Sequence, residues 1–146
     1  MVDAALYSSD RQDWETPHAL FRALDAEFPF TLDVCATPAN AKCDQFYQPS
    51  DRALTKPWRQ DSSWWWCNPP YGRGVKAWIA KGVDERRGIM LLPSRTDTRW
   101  FHEYLWDSWH QAPYTGIELR FLKGRLTFQG ASASAPFPSM VVVIRA

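Results

Sequence analysis

Helix-type and strand-type apolar patterns alternate along this chain, which predicts a three-layer α/β domain on a mostly parallel sheet. Three observations carry the prediction. Leu20, Phe21, Leu24 and Phe28 recur at helical spacing, as do Val75, Trp78, Ile79 and Val83, and each set is flanked by strand-type runs. Gly88-Ile89-Met90-Leu91-Leu92-Pro93 is apolar throughout, as a strand covered on both faces is. The last third is rich in strand patterns, which adds a hairpin near one edge of the sheet.

Residues 1–13 have no periodicity and read as a loose N-terminal arm, and residues 14–146 read as a single domain. Thr16-Pro17 reads as an N-cap with proline at the first helical position, opening a helix over 17–28. Phe30 to Cys35 is a short strand that enters the small-residue loop Ala36-Thr37-Pro38-Ala39-Asn40. A second short strand is expected within 42–47, then a loop or single helical turn from Asp51 to Gln60. The apolar run at 63–67 is the next strand, and Gly72-Arg73-Gly74 is a hinge before a helix of about three turns. After the strand at 88–93, a loop rich in Ser, Thr and Asp leads into a helical face formed by Trp100, Phe101, Tyr104 and Leu105. Ile117, Leu119 and Phe121 alternate with polar residues as in an amphipathic strand, and Leu126-Thr127-Phe128 extends that ribbon beyond a turn at Lys123-Gly124. A flexible loop at 130–135 precedes a buried strand from Met140 to Ile144.

With 146 residues the chain can bury a core without disulfide help. Its 45% apolar and 23% charged residues are those of an ordinary soluble protein. No stretch reaches the roughly 18 apolar residues of a membrane span, and Met1 to Leu6 lacks the pattern of a secretory signal. Cys35, Cys43 and Cys67 are too few and too scattered for a disulfide framework or a zinc site, so no metal is expected and the thiols read as reduced and cytoplasmic. A net charge of +1 gives no global case for nucleic acid, so any positive face must be assembled locally from clusters such as Arg73 with Lys76, or Arg95 with Arg99. Nine tryptophans are well above ordinary usage and suit stacking on bases or on a cofactor adenine.

Asn68-Pro69-Pro70-Tyr71, reached directly from Trp64-Trp65-Trp66-Cys67, is the most informative segment. In an open α/β sheet the carboxyl end of a strand is where ligands sit. The Asn68 side-chain oxygen and the Pro69 carbonyl can both accept hydrogen bonds from an exocyclic amine. Two prolines fix φ and supply no competing N–H, and Tyr71 offers an aromatic face to a planar base.

Taken in order, these segments resemble the phage-type DNA adenine-N6 methyltransferases of the Dam family. The resemblance is carried by Trp14-Glu15-Thr16-Pro17, Leu32-Asp33-Val34-Cys35-Ala36, Asn40-Ala41-Lys42-Cys43, Cys67-Asn68-Pro69-Pro70-Tyr71, Leu92-Pro93-Ser94-Arg95-Thr96-Asp97-Thr98 and Gly124-Arg125-Leu126-Thr127-Phe128. It implies a Rossmann-like, S-adenosylmethionine-dependent methyltransferase fold, with helices on both faces of the sheet. It also implies an enzyme of the bacterial host cytoplasm, encoded by a phage or prophage. Trp14 to Pro17 look like the segment around the methionine end of the cofactor, and Asp33, Cys35 and Ala36 like the loop that follows the first strand. Here the chain departs from larger relatives, because Ala36-Thr37-Pro38-Ala39 stands where they carry a glycine-rich turn. Asp51 lies near where an acid would meet the ribose or the adenine amine of the cofactor.

Asn68, Pro69, Pro70 and Tyr71 then become the catalytic group, with Asn68 also bordering the cofactor. Acceptance of both amine hydrogens by Asn68 and Pro69 favours a localised nitrogen lone pair aimed at the sulfonium methyl. In duplex DNA the adenine must be flipped out, and Tyr71 replaces its lost stacking. Arg73, Arg95, Asp97, Arg99 and Arg125 are the candidates for gripping phosphate or reading base edges, although Asp97 serves equally well as the cap of the helix carrying Trp100. Asn-Pro-Pro-Tyr also occurs in enzymes that methylate guanine or protein glutamine nitrogens. RNA or a protein amide therefore stays open as the acceptor, as does a non-catalytic nucleic-acid-binding relic of the fold.

Overall fold

The computed structural model describes residues 14–60 and 62–146; the expected N-terminal arm lies outside them. Its centre is a six-stranded sheet in the order β2-β1-β3-β4-β8-β7. The strands are β1 (Phe30–Asp33), β2 (Gln45–Phe46), β3 (Trp64–Cys67), β4 (Gly88–Pro93), β7 (Ile117–Phe121) and β8 (Ser139–Ile144). The first four run parallel; β8 lies antiparallel between β4 and β7. The sheet is therefore mixed, parallel from β2 to β4 and antiparallel from β4 through β8 to β7. All residues of β4 and β8 are buried, as strands covered on both faces require.

Two helices cover opposite faces. Successive residues of a strand point to opposite sides, so Trp65 and Trp66 of β3 mark the two faces. The ring of Phe21, on helix α1 (His18–Glu27), meets Trp66 edge-on at 5.3 Å. Helix α2 (Val75–Glu85) lies on the Trp65 side, where Gly82 brings its backbone against that indole. Gly88 is the tightest seat in the sheet, since a Cβ there would lie 1.9 Å from Trp65 ring atoms. The indole N–H of Trp65 donates to the Arg86 carbonyl at 2.7 Å, which locks the ring over that glycine.

Several expectations are corrected. Thr16 does not cap α1; the N-cap position is Pro17, without a side-chain bond, because the Thr16 hydroxyl is used elsewhere. Leu126-Thr127-Phe128 forms no strand, and β7 pairs with β8 instead. Phe128 is drawn into an aromatic cluster with Trp14, Tyr71 and Phe137. Trp100 leads into a π-helical segment (Phe101–Leu105) that ends at once in a small hairpin, β5 (Trp106–Asp107) with β6 (Ala112–Pro113). The loop expected over 51–60 starts earlier, with 3-10 turns at Pro49–Asp51 and Ala53–Thr55. Among the described residues no helix is long and apolar enough to cross a membrane, and no group of His, Cys, Asp and Glu could hold a metal.

Candidate active site

From β1 the sheet grows outward in both directions, to β2 on one side and to β3 on the other. This reversal is the topological switch point, where the carboxyl ends of neighbouring strands splay and leave a crevice. A cavity of about 540 Å³ lies there. It is lined by Asp33 to Thr37 after β1, by Asn68 and Pro70 after β3, and by Trp14 to Thr16 before α1. Lys42, Tyr47, Gln48, the turn from Arg52 to Thr55, Trp66 and Trp78 complete the wall. The volume is in the range of small-molecule sites.

The loop after β1 is held by hydrogen bonds rather than by glycine. Asp33 is buried, and its carboxylate accepts the N–H of Cys35 at 3.2 Å and of Lys42 at 3.0 Å. Asn40 Oδ1 accepts the Thr37 N–H at 2.7 Å, and the Tyr47 carbonyl accepts that of Ala36 at 3.0 Å. None of residues 33–42 takes a positive φ, so the loop needs no glycine. Burial pushes the Asp33 carboxyl up to about 6, against the pull of those two N–H groups. Burial, helped by the Asp33 charge, pushes the Cys35 thiol up to about 12, so it stays neutral and unreactive.

On the other wall, Asn68 is fixed by its own amide nitrogen, which donates to the Trp14 carbonyl and to Thr16 Oγ1, the latter at 3.1 Å. The amide oxygen is left buried with no hydrogen-bond partner. A buried acceptor without a donor carries a desolvation cost of about 1–3 kcal/mol, and this one is aimed by two bonds that prevent the amide from flipping. The Thr16-Pro17 segment thus serves as the bracket for Asn68.

Comparison with known proteins now decides the family. A family model described as DNA N-6-adenine-methyltransferase (Dam) matches residues 3–146. The chain belongs to this family. It is similar to the DNA N-6-adenine-methyltransferase of Escherichia phage T1, 32% identical over 97 residues, covering 64% of this chain and 40% of that protein. It is similar as well to the DNA N-6-adenine-methyltransferase of Haemophilus phage HP1 (strain HP1c1), 31% identical over 107 residues, covering 69% of this chain and 61% of that protein. The matched segments thus span from two-fifths to about three-fifths of these curated relatives.

The Dam-family chain brings together many of the residues singled out in its sequence. Trp14, Glu15, Thr16, Asp33, Cys35, Ala36, Asn68 and Pro70 all border the cavity. Others fall elsewhere. Pro17 is outside the lining and starts α1, its carbonyl accepting the Phe21 N–H at 3.1 Å. Asp51 is outside it too: its carboxylate accepts the Gln48 N–H at 2.8 Å, closing the 3-10 turn on itself, so Gln48 and Pro49 face the cavity in its place. Pro69 is buried beside Asn68 and does not line the cavity.

Tyr71 differs most from expectation. Its ring is buried at 7% exposure, edge-on to Phe137 at 5.6 Å and to Phe128 at 6.4 Å, and its hydroxyl donates to the Leu91 carbonyl at 3.0 Å. No open face remains for a base, because aromatic residues distant in sequence close over it. Arg73, Arg95, Asp97, Arg99 and Arg125 are all exposed. Asp97 is not the cap of the helix that carries Trp100; Thr98 Oγ1 accepts the Phe101 N–H at 3.3 Å instead. Lys42 and Trp78 were missed as site residues. Lys42 sits in the quoted Asn-Ala-Lys-Cys segment, and its ammonium lies 2.7 Å from His18 Nδ1; burial lowers its pKa. Trp78 carries the same spacing as any core residue of α2, so periodicity alone could not separate it.

Proposed function

We propose that this chain transfers a methyl group from S-adenosylmethionine to the N6 amine of adenine in DNA, in the cytoplasm of a bacterial host. The carrying observation is the Asn68 amide oxygen, oriented, buried and without a donor, on a residue that lines the switch-point cavity in a Dam-family chain. Residues 14–146 form one Rossmann-like methyltransferase domain in this reading. It is supported by parallel strands on both sides of the switch point and by helices on both faces.

The residues present fit S-adenosylmethionine. The cavity is large enough for it, its lining residues are apolar and polar in about equal number, and they include the buried acid Asp33 and the base Lys42 to meet a zwitterionic amino-acid end. Trp14, Glu15 and Thr16, the loop from Asp33 to Ala36, Lys42 and Asn68 would hold it. When bound, it supplies an electrophilic methyl group on a sulfonium centre. The protein's part is orientation and matched polarity. Asn68 Oδ1 accepts one hydrogen of the target amine, which favours a localised nitrogen lone pair; the Pro69 carbonyl, on a buried residue outside the cavity lining, is not needed for this. The adenine must leave the duplex to reach Asn68. Arg73, Arg95, Arg99 and Arg125 meet phosphates. Tyr71 supports the turn from beneath by packing and through its bond to Leu91.

The test is expression in a bacterial host devoid of adenine methylation with labelled methionine as methyl source, followed by mass spectrometry of nucleosides from DNA and RNA and of peptides from protein. N6-methyladenine in DNA, absent with Asn68→Ala, is the expected result. Label confined to RNA or to protein glutamine would redirect the acceptor. No label anywhere, together with no binding of S-adenosylhomocysteine, would make the chain a non-catalytic relic.

A further inference from the structure

Trp109 exposes 89% of its surface, the most of any large apolar side chain among the described residues. It stands at the apex of the β5–β6 hairpin, and that apex is built to hold it there. Asp107 Oδ1 accepts the N–H groups of Trp109 at 3.0 Å and His110 at 3.2 Å, while Oδ2 pairs with His110 Nδ1 at 2.6 Å. Gln111 takes a left-handed φ of 54° and donates to the Ser108 carbonyl at 2.6 Å. A loop with this many internal bonds has already lost the entropy that a mobile loop would lose on binding. The ordered backbone thus presents the tryptophan ring to water with its face open to a partner.

The hairpin is tied to the sheet edge that carries the candidate site. His102 bridges Ser108 Oγ and the Thr96 carbonyl, both at 2.7 Å, and the Tyr114 hydroxyl donates to the His102 carbonyl at 2.9 Å. Thr96 belongs to the loop after β4, and the carboxyl end of β4 lies beside that of β3, from which Asn68 projects. Glu103 in the intervening π-helical segment pairs with Lys76, at the start of α2, at 3.0 Å. Of the acidic groups here, Glu103 is paired with Lys76, Asp107 keeps its charge while accepting from the Trp109 and His110 N–H groups, and Asp97 is exposed without a side-chain partner. Arg95 and Arg99 flank Asp97 in the loop after β4 and Arg73 precedes α2, all three exposed, so these three cations outnumber the two unneutralised carboxylates and favour an anionic partner.

We propose that Trp109 is an aromatic wedge that enters duplex DNA beside the target adenine and stacks on the base step opened when that adenine leaves. This rests on the DNA methyltransferase reading and supplies the stacking face that the sealed ring of Tyr71 lacks. Apolar side chains that part base steps act in this way in proteins that kink DNA.

The test uses the full chain and its Trp109→Ala and Trp109→Phe variants, with unmethylated plasmid DNA offered as duplex and after heat denaturation. Both variants should melt as wild type and keep the same thermal shift with S-adenosylhomocysteine, since the ring lies in water. Trp109→Ala should lower methyl transfer to duplex by at least about tenfold, while transfer to denatured DNA changes by less than about threefold and Trp109→Phe stays close to wild type on both. Equal losses on the two substrates, or no loss on either, would overturn the wedge. So would a wild-type dimer in sedimentation velocity that Trp109→Ala dissociates, since the tryptophan would then cover a second copy. If wild type methylates neither substrate, the methyltransferase reading itself fails. The wedge is then judged by duplex binding in a gel shift, where unchanged affinity of Trp109→Ala rejects it and weakened affinity retains it.

Discussion

Replacing Asn68 with alanine should separate the structural work of its amide from its chemical work. In the folded protein the amide nitrogen holds the Trp14 carbonyl and the Thr16 hydroxyl, while the oxygen is buried without a donor. Two lost hydrogen bonds at about 1 kcal/mol each come to about 2 kcal/mol. Deleting the orphan oxygen returns about 1 kcal/mol of desolvation, leaving a net loss of about 1 kcal/mol. For a chain of this length that lowers Tm by roughly 3 °C. Loss of an oriented polar group from a transition state is far larger, on the order of a hundredfold or more in turnover. The assay pairs steady-state methyl transfer to DNA with a melt of each variant. Thr16→Val is the companion, because it keeps the amide oxygen but removes one of the two bonds that aim it. Its turnover should fall by about tenfold, with a Tm loss similar to that of Asn68→Ala. Turnover of Asn68→Ala within about threefold of wild type would refute the reasoning. So would a melt so low that unfolding alone accounts for the lost activity.

Tyr71→Phe removes only the bond to the Leu91 carbonyl and should cost about 1 kcal/mol, whereas Tyr71→Ala should cost about 3–5 kcal/mol in a denaturant melt without DNA. Asp33 should make stability and cofactor binding respond to pH in opposite senses. Its folded pKa of about 6 exceeds the ordinary 3.8, so its contribution to stability is complete below about 4 and is lost as pH rises through about 6, about 3 kcal/mol in all. The carboxylate that accepts the Cys35 and Lys42 N–H groups forms only above about 6, so calorimetric affinity for S-adenosylhomocysteine should weaken below that pH, and Asp33→Asn should flatten both profiles. Gly88→Ala should cost about 3 kcal/mol or more and leave little folded protein by circular dichroism, since the new methyl would meet the Trp65 ring.

The central strands of the sheet were legible because a strand buried on both faces must be apolar throughout, and 64–67, 88–93 and 140–144 are, although the last runs antiparallel. Helices α1 and α2 were legible from their spacing. The β5–β6 hairpin was not, since paired strands of this length carry no period. In the candidate site, Asp33 and Asn68 were placed correctly at the carboxyl ends of β1 and β3, because strand ends can be read from the apolar runs that precede them. What could not be read is where a side chain turns once it leaves the strand. Thr16 had the local signature of a cap, yet it bonds to Asn68, 52 residues away. Tyr71 had the look of a stacking residue until Phe128 and Phe137 closed over it. Asp51 had the right charge for a ribose and spends it on the N–H of Gln48. Each outcome depends on a tertiary neighbour or a local turn that competes for the same polar group.

The position of β8 has a kinetic consequence. It lies between β4 and β7 and bonds to both, yet the hairpin, β7 and a long irregular stretch separate it from β4 along the chain. Until that loop closes, β4 presents a bare, wholly apolar edge, and β7 has nothing to pair with. The docking of β8 should therefore be a late step of folding, the one that covers this edge. Pulse-labelled hydrogen exchange should find the β4 amides that face β8 gaining protection together with those of β7, after helix α2.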